Sequence, residues 1–296
     1  MTRTMNAALA AVMMTAGAAH TAAAQQDFRW SGRLADGQTI EIRNIKGEIR
    51  AEPSSNGEVT VTAHPRGGRG ERVRVEMVRR DYGVVVCTIY PYGSDDRRGW
   101  RNDRDDDDSE RRAEPRDACN SGRSMNVRDE DADVEFVVRV PAGVKLSARS
   151  VSGDVEARAL RGPVDARSVS GDVHVTTAGE VRAASVSGDV FASMGRIPSR
   201  GLEFRSVSGN VTLELPAGTD ANFSARTLSG EIDSDFPLTI EGRRGRSDRD
   251  DDDDDRGDWP RVRVRVGHDL RAHLGRGGPE LNVTTVSGDI NLRRAR

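Results

Sequence analysis

The sequence predicts an all-β fold of the β-solenoid (β-helix or β-roll-like) class, with two short strands in each coil of about 17 to 21 residues. Three observations predict it. The first is a repeat: Arg149 to Val155, Arg-Ser-Val-Ser-Gly-Asp-Val, returns at Arg167 to Val173, at Ser185 to Val190, and at Arg205 to Val211 with Asn210 in place of Asp. Looser copies stand at Asn44 to Ile49, Arg226 to Ile232 and Thr285 to Ile290. The second is phase. Leu146, Ala148 and Ser150 share one parity, whereas Val151, Gly153, Val155 and Ala157 share the other. A one-residue slip would turn a continuing strand inside out, so the chain must turn a corner at each Ser, Thr or Asn. A second slip, between Ala157 and Leu160, restores the first parity. The third is composition: 35% apolar, 4% aromatic and 31% charged residues suit a narrow core of Val, Ala, Ser and Gly rather than a wide one.

Taken in order, residues 1–24 combine Arg3, an apolar run from Ala7 to Ala19 and the small-residue site Ala22-Ala23-Ala24, the pattern of a secretory signal peptide. The run is too short to span a bilayer, and no later segment is long and apolar enough to do so. Removing the peptide leaves 44 Lys+Arg against 48 Asp+Glu, a net charge of −4, which points to no nucleic-acid partner. The expected location is therefore the periplasm, the cell surface or the medium.

Residues 25–141 read as an N-terminal β region. Ile40, Ile42, Ile45, Ile49 and Ala51, then Val59, Val61 and Ala63, then Val73, Val75 and Met77 alternate with polar residues. Tyr82 to Tyr90 is the densest β-branched run and predicts the best-covered strand. The sequence leaves open whether this region stacks on the repeat or forms a β-sandwich-like extension. Cys87 and Cys119, the two cysteines of an exported chain, predict a disulfide that stabilises by about 3 to 4 kcal/mol in the chain-entropy model. Between them, residues 94–117 are so rich in Asp and Arg that little offsets the entropy of ordering them. In the repeat region, 142–296, a second such excursion covers 242–258, with an unbroken acidic run from Asp250 to Asp255.

Stacked in register about 4.8 Å apart, the copies would form columns. The phase places Val151, Val169, Val186, Val207, Leu228 and Val286 in an inward stack. It also turns the glycine column Gly153, Gly171, Gly188, Gly209, Gly230 and Gly288 inward, where missing side chains would let the opposite wall approach.

The repeated Ser-Val-Ser-Gly-Asp-Val, the Val-Pro-Ala-Gly lead-in at Val140 to Gly143 and the closing Leu-Asn-Val-Thr-Thr-Val-Ser-Gly-Asp-Ile-Asn-Leu resemble the bacterial putative-adhesin family of β-strand repeat domains. The resemblance covers roughly Ile40 to Leu292 apart from the two Asp/Arg-rich excursions. It implies an envelope-associated β-solenoid without a known catalytic centre.

Outward positions supply the candidate site. Ser152, Ser170, Ser187, Ser208, Ser229 and Ser287 form one row, and Asp154, Asp172, Asp189, Asn210, Glu231 and Asp289 the next. Carboxylates one strand apart repel, so this row binds cations, finds arginine partners or relies on solvent screening. Ca²⁺, which takes several oxygen ligands, is the cation such a row would suit. Arg149, Arg167, Arg205 and Arg226 form a basic stripe on the preceding strand, able to grip anionic groups or to neutralise nearby Asp and Glu. No nucleophile-elbow, zincin or phosphate-loop motif is present, and the histidines after residue 24, His64, His174, His268 and His273, are scattered. The function expected is a non-catalytic, adhesin-like structural or interaction module of the cell envelope, contacting glycans or proteins and requiring no cofactor. The alternative is a calcium-responsive module using the Ser-Gly-Asp ladder; a polysaccharide-active β-helix enzyme stands third.

Overall fold

Alternating sequences of three to eight residues fold here as strands, and a computed structural model of the chain describes residues 27–66, 73–90, 119, 133–199, 202–240, 262–264 and 269–295. The signal-peptide reading and the two excursions, 94–117 and 242–258, lie outside the described residues.

The N-terminal strands are β1 (Phe28–Gly32), β2 (Thr39–Arg43), β3 (Ile49–Pro53), β4 (Val59–Arg66), β5 (Arg74–Arg80), β6 (Gly83–Ile89) and β7 (Asp133–Val140). The regular repeat supplies β8 (Lys145–Ser152), β9 (Val155–Leu160), β10 (Val164–Ser170), β11 (Val173–Thr177), β12 (Val181–Ser187) and β13 (Val190–Met194). It continues through β14 (Leu202–Arg205), β15 (Val211–Leu215), β16 (Ala221–Arg226), β17 (Ile232–Ser234) and β18 (Leu238–Ile240). The chain ends with β19 (Val262–Val264), β20 (Leu270–Leu274), β21 (Glu280–Thr284) and β22 (Ile290–Arg294).

Among the described residues the strands form two eleven-stranded sheets. Sheet I runs β1-β4-β7-β3-β9-β11-β13-β15-β22-β17-β19, and sheet II runs β18-β20-β16-β21-β14-β12-β10-β8-β2-β6-β5. Each copy of the repeat gives one strand to sheet II and, past its Ser-Gly-Asp corner, one to sheet I. We call such a pair a rung. Eight parallel rungs stack in the order β6/β7, β2/β3, β8/β9, β10/β11, β12/β13, β14/β15, β21/β22, β16/β17. The N-terminal strands thus continue the stack directly, with β2 on β8 and β3 on β9.

The spatial order departs from chain order at both ends. The last copy, β21/β22, inserts between the two copies that precede it in the chain, β14/β15 and β16/β17, so Ser287 bridges both Ser208 and Ser229. At the ends of the stack the strands turn antiparallel: β4 on β7, β5 on β6, β19 on β17 and β20 on β16. The edges of the two sheets are therefore the antiparallel strands β1 and β19, and β18 and β5.

One hydrophobic cluster fills the space between the sheets. Sheet II contributes columns such as Ile40, Leu146, Val164, Val181, Leu202, Leu281 and Phe223, and sheet I contributes Ile49, Val155, Val173, Val190, Val211, Ile290 and Ile232. β6 is buried on both faces over most of its length, in keeping with its run of β-branched residues. Between Ala157 and Leu160 the parity slip is absorbed by a bulge in which Ala159 takes φ 51°, and the pairing of β9 with β11 shifts there.

The inward valine stack is overturned. Val151, Val169, Val186, Val207, Leu228 and Val286 are among the exposed residues, and the buried corner positions are Ser150, Ser168, Ser185, Ser206, Thr227 and Thr285. The slip is real but falls later than Ser150. Ser150 is the last inward residue of β8, Val151 follows it on the outer face of the same strand, and only past Ser152, at Gly153 and Asp154, does the chain turn so that Val155 opens β9 facing in.

The glycine column needs a correction too. A Cβ on Gly171, Gly188 or Gly209 would lie 2.5, 2.3 or 2.2 Å from the carbonyl oxygen of the glycine one rung earlier, so it is the neighbouring rung and not the opposite wall that comes close. These glycines take φ of +150° to +157°, which L side chains rarely adopt.

Candidate interaction edge

All copies turn on the same edge of the stack, and three bonds repeat there from rung to rung. The buried serine hydroxyl donates to the glycine carbonyl of the preceding rung: Ser168 to Gly153 at 2.9 Å, Ser185 to Gly171 at 2.9 Å, Ser206 to Gly188 at 3.0 Å. Thr285 and Thr227 do the same toward Gly209 and Gly288, each at 3.1 Å. Serine and glycine of one rung therefore address the same carbonyl, one by bonding it and the other by making room for it. Replacing Ser185 with alanine removes that donor from a buried site and should cost about 1 kcal/mol, read from the urea unfolding midpoint.

The second bond explains the acidic row. The Asp172 N–H donates to Asp154 Oδ1 at 2.8 Å, Asp189 N–H to Asp172 Oδ1 at 2.8 Å, and Asn210 N–H to Asp189 Oδ1 at 2.7 Å. Asn210 Oδ1 then accepts from Asp289 N–H at 2.9 Å, and Asp289 Oδ1 from Glu231 N–H at 2.9 Å. Each side chain clamps the next rung, a role that sequence reasoning, weighing only cations, arginines and solvent, missed. Asn serves as well as Asp because only an acceptor oxygen is needed. Among the described residues no three His, Cys, Asp or Glu side chains are grouped so that they could hold a metal ion.

The third repeating contact is the backbone ladder itself. Gly153 N–H donates to Ser170 C=O at 2.8 Å and Gly188 N–H to Ser208 C=O at 3.1 Å. Ser152, Ser170, Ser187, Ser208, Ser229 and Ser287 lie exposed along it.

The basic stripe is paired. Arg167 meets Asp165 at 2.8 Å, Arg226 meets Asp269 at 2.9 Å, Arg149 approaches Glu41 at 3.7 Å, and Arg205 contacts Glu203. The register continues it as Arg43, Arg149, Arg167, Ala184, Arg205, Thr284 and Arg226.

At its N-terminal end the stripe meets a buried carboxylate. Glu41 accepts from Arg43 Nε at 2.8 Å and from the Tyr82 hydroxyl at 2.9 Å, while Arg43 also donates to the Cys119 carbonyl at 2.9 Å. Burial pushes the Glu41 carboxyl up, but the bonds from Arg43 and Tyr82 and the charges of Arg43 and Arg149 outweigh it and hold it below the usual range. A depressed folded-state value means that this stabilisation is present above the ordinary glutamate value and is lost as pH falls through the lower, folded one. Unfolding of the E41Q variant should accordingly depend less on pH below about 4.5 than the parent, as urea midpoints at neutral and acid pH would record.

The Cys87–Cys119 disulfide forms, with Cα atoms 5.7 Å apart, and fixes Cys119 beside β6. Of the histidines, His64 bonds Asp27 at 2.9 Å, His174 lies against the Phe191 ring at a centroid distance of 4.4 Å, and His273 bonds Asn222 at 3.0 Å; they do not converge. His268 lies outside the described residues.

Besides its serines, aspartates and arginines, the edge turns outward the aliphatic row of Val151 and its equivalents. No helix among the described residues is long and apolar enough to cross a membrane.

Two solved structures are similar to this chain. One, described as a "putative cell adhesion protein" from Clostridium sporogenes, shares 9% identity with a TM-score of 0.46 and covers 91% of this chain and 100% of its own. The other, a "putative adhesin" from Bacteroides fragilis, shares 10% identity with a TM-score of 0.37 over 91% of this chain and 97% of its own. No curated protein matches the chain. Within the repeat, residues 164–256, from β10 onward, match the model of the Toastrack DUF4097 family.

Proposed function

We propose that the chain is a non-catalytic, adhesin-like interaction module of the bacterial cell envelope, exported by the segment 1–24. The observation that carries this reading is how the repeat spends its polar groups. The buried serine hydroxyls, one oxygen of each aspartate and the arginines along the edge are engaged with neighbouring rungs or with nearby side chains. The outward repetition that remains is the exposed serine row and, beside it, a row of aliphatic side chains suited to contact. Envelope proteins or glycans are the partners that this reading implies.

Pull-down from an envelope extract with the full chain as bait, with and without a chelator, tests it. Retention of the same envelope component in both arms is the expected result. Loss of retention with chelator would favour the calcium-responsive alternative, and absence of any retained component would remove the envelope-binding reading.

A further inference from the structure

The aliphatic row is the feature that the stack itself does not use. Among the described residues, the exposed large hydrophobics are Tyr82 and six members of this row, Val151, Val169, Val186, Val207, Val286 and Leu228, 39 to 65% exposed. Half-buried Ile45 extends it by one rung. Bridges at the adjoining residues, Lys46 to Ser152 and Ser187 to Ser208 to Ser287 to Ser229, with the β8/β10/β12 pairing between, set consecutive members one rung apart. At about 4.8 Å per rung the row is an apolar ridge about 30 Å long.

We propose that this ridge is the contact with a second copy of the chain, the two stacks lying side by side about a two-fold axis parallel to the stacking direction. The proposal rests on the interaction-module reading and names its partner. Period is the first argument. A partner matched to one aliphatic side chain per rung over seven rungs needs the same repeat, and a second copy has it by construction, so the contact is self-complementary as a two-fold interface requires.

Charge is the second argument, and it selects the orientation. Arg149 and Arg167 flank the ridge on the sheet II side, and Asp154 and Asp172 flank it on the sheet I side. With the stacks parallel, the two-fold brings the arginine flank of one copy opposite the aspartate flank of the other. With the stacks antiparallel, arginine would meet arginine and aspartate would meet aspartate, which is repulsive. Each aspartate spends Oδ1 on the next rung, and among the described residues no bond uses Oδ2 of Asp154, Asp172 or Asp189. The same acidic flank argues against an anionic lipid surface as the occupant, since it would be repelled along the whole ridge.

Sedimentation velocity of the purified full chain over a micromolar concentration series tests the contact. The parent should dimerise reversibly, and the double variant V169D/V186D should associate at least a hundredfold more weakly while keeping the parent's circular dichroism and urea midpoint. Because Cys87 and Cys119 are already bonded to each other, single cysteine variants report orientation. V151C and L228C should each cross-link to a second copy of itself on mild oxidation, and a mixture should give no bond between the two kinds. A parent that stays monomeric at high micromolar concentration, a double variant that dimerises like the parent, or cross-linking confined to the mixture would overturn the proposal. So would a monomer that binds phosphatidylglycerol vesicles through the ridge. If the parent is monomeric yet still retains an envelope component, only the self-contact falls and the interaction-module reading stands.

Discussion

Replacing Gly188 with alanine lowers the unfolding free energy by about 3 kcal/mol or more, a large loss for a single added methyl group. Two effects add. The φ of +153° strains any L side chain, and the new Cβ would stand 2.3 Å from the Gly171 carbonyl oxygen, which belongs to backbone and cannot swing aside. That oxygen also accepts the Ser185 hydroxyl, so displacing it weakens a second bond. Gly57 supplies the control. It too has positive φ, +74°, but nothing lies within 4 Å of a Cβ placed there, so G57A should cost only the conformational strain, about 1 kcal/mol. Urea unfolding of the two variants separates the effects; equal losses would mean that rung-to-rung contact is not what demands glycine.

Loss of the disulfide is the second large effect. The double variant C87S/C119S should lose about 3 to 4 kcal/mol, because the bridge closes a separation of 32 residues in the unfolded chain. The loss should be local as well. Cys87 lies on β6, the outermost parallel strand of sheet II, and the Cys119 carbonyl holds Arg43 and through it Glu41. Amide hydrogen exchange should rise first in β5, β6 and β2 and leave β10 to β13 protected, since a stacked array can open from one end. Uniform loosening of all rungs would contradict the nearest-neighbour picture.

Much of the architecture was legible because the repeat is written in residue types with narrow physical uses. Parity slips located the corners, and serine or threonine at each slip marked where a strand leaves the core. What misled was the assumption that alternation resumes at once after Ser150. The strand runs on through Val151 and Ser152 before it turns at Gly153 and Asp154, and valine's preference for burial made the wrong side look natural for Val151.

The out-of-order final rung had a signal that went unread. Aspartate in this motif clamps a rung that follows it, so the copies carrying Asp154, Asp172, Asp189 and Asp289 must each have a successor, and Asn210 serves its own. Glutamate stands in the copies at the two ends of the corner stack, Glu48 and Glu231. The copy with Asp289, though last in the chain, therefore belongs inside the one with Glu231, where the structure places it. Self-consumption of the ladder was beyond sequence reasoning for a different reason: that Oδ1 meets a backbone N–H one rung away follows from corner geometry, which composition does not carry.

The Ser-Val-Ser-Gly-Asp unit is an architectural device with one outward apolar residue, and thiol labelling of native S185C and V186C, at nanomolar concentration where copies are apart, decides whether it is. V186C should react nearly as fast as an unfolded thiol, and S185C, one residue away, should be protected by orders of magnitude. Protection of V186C equal to that of S185C would contradict the account.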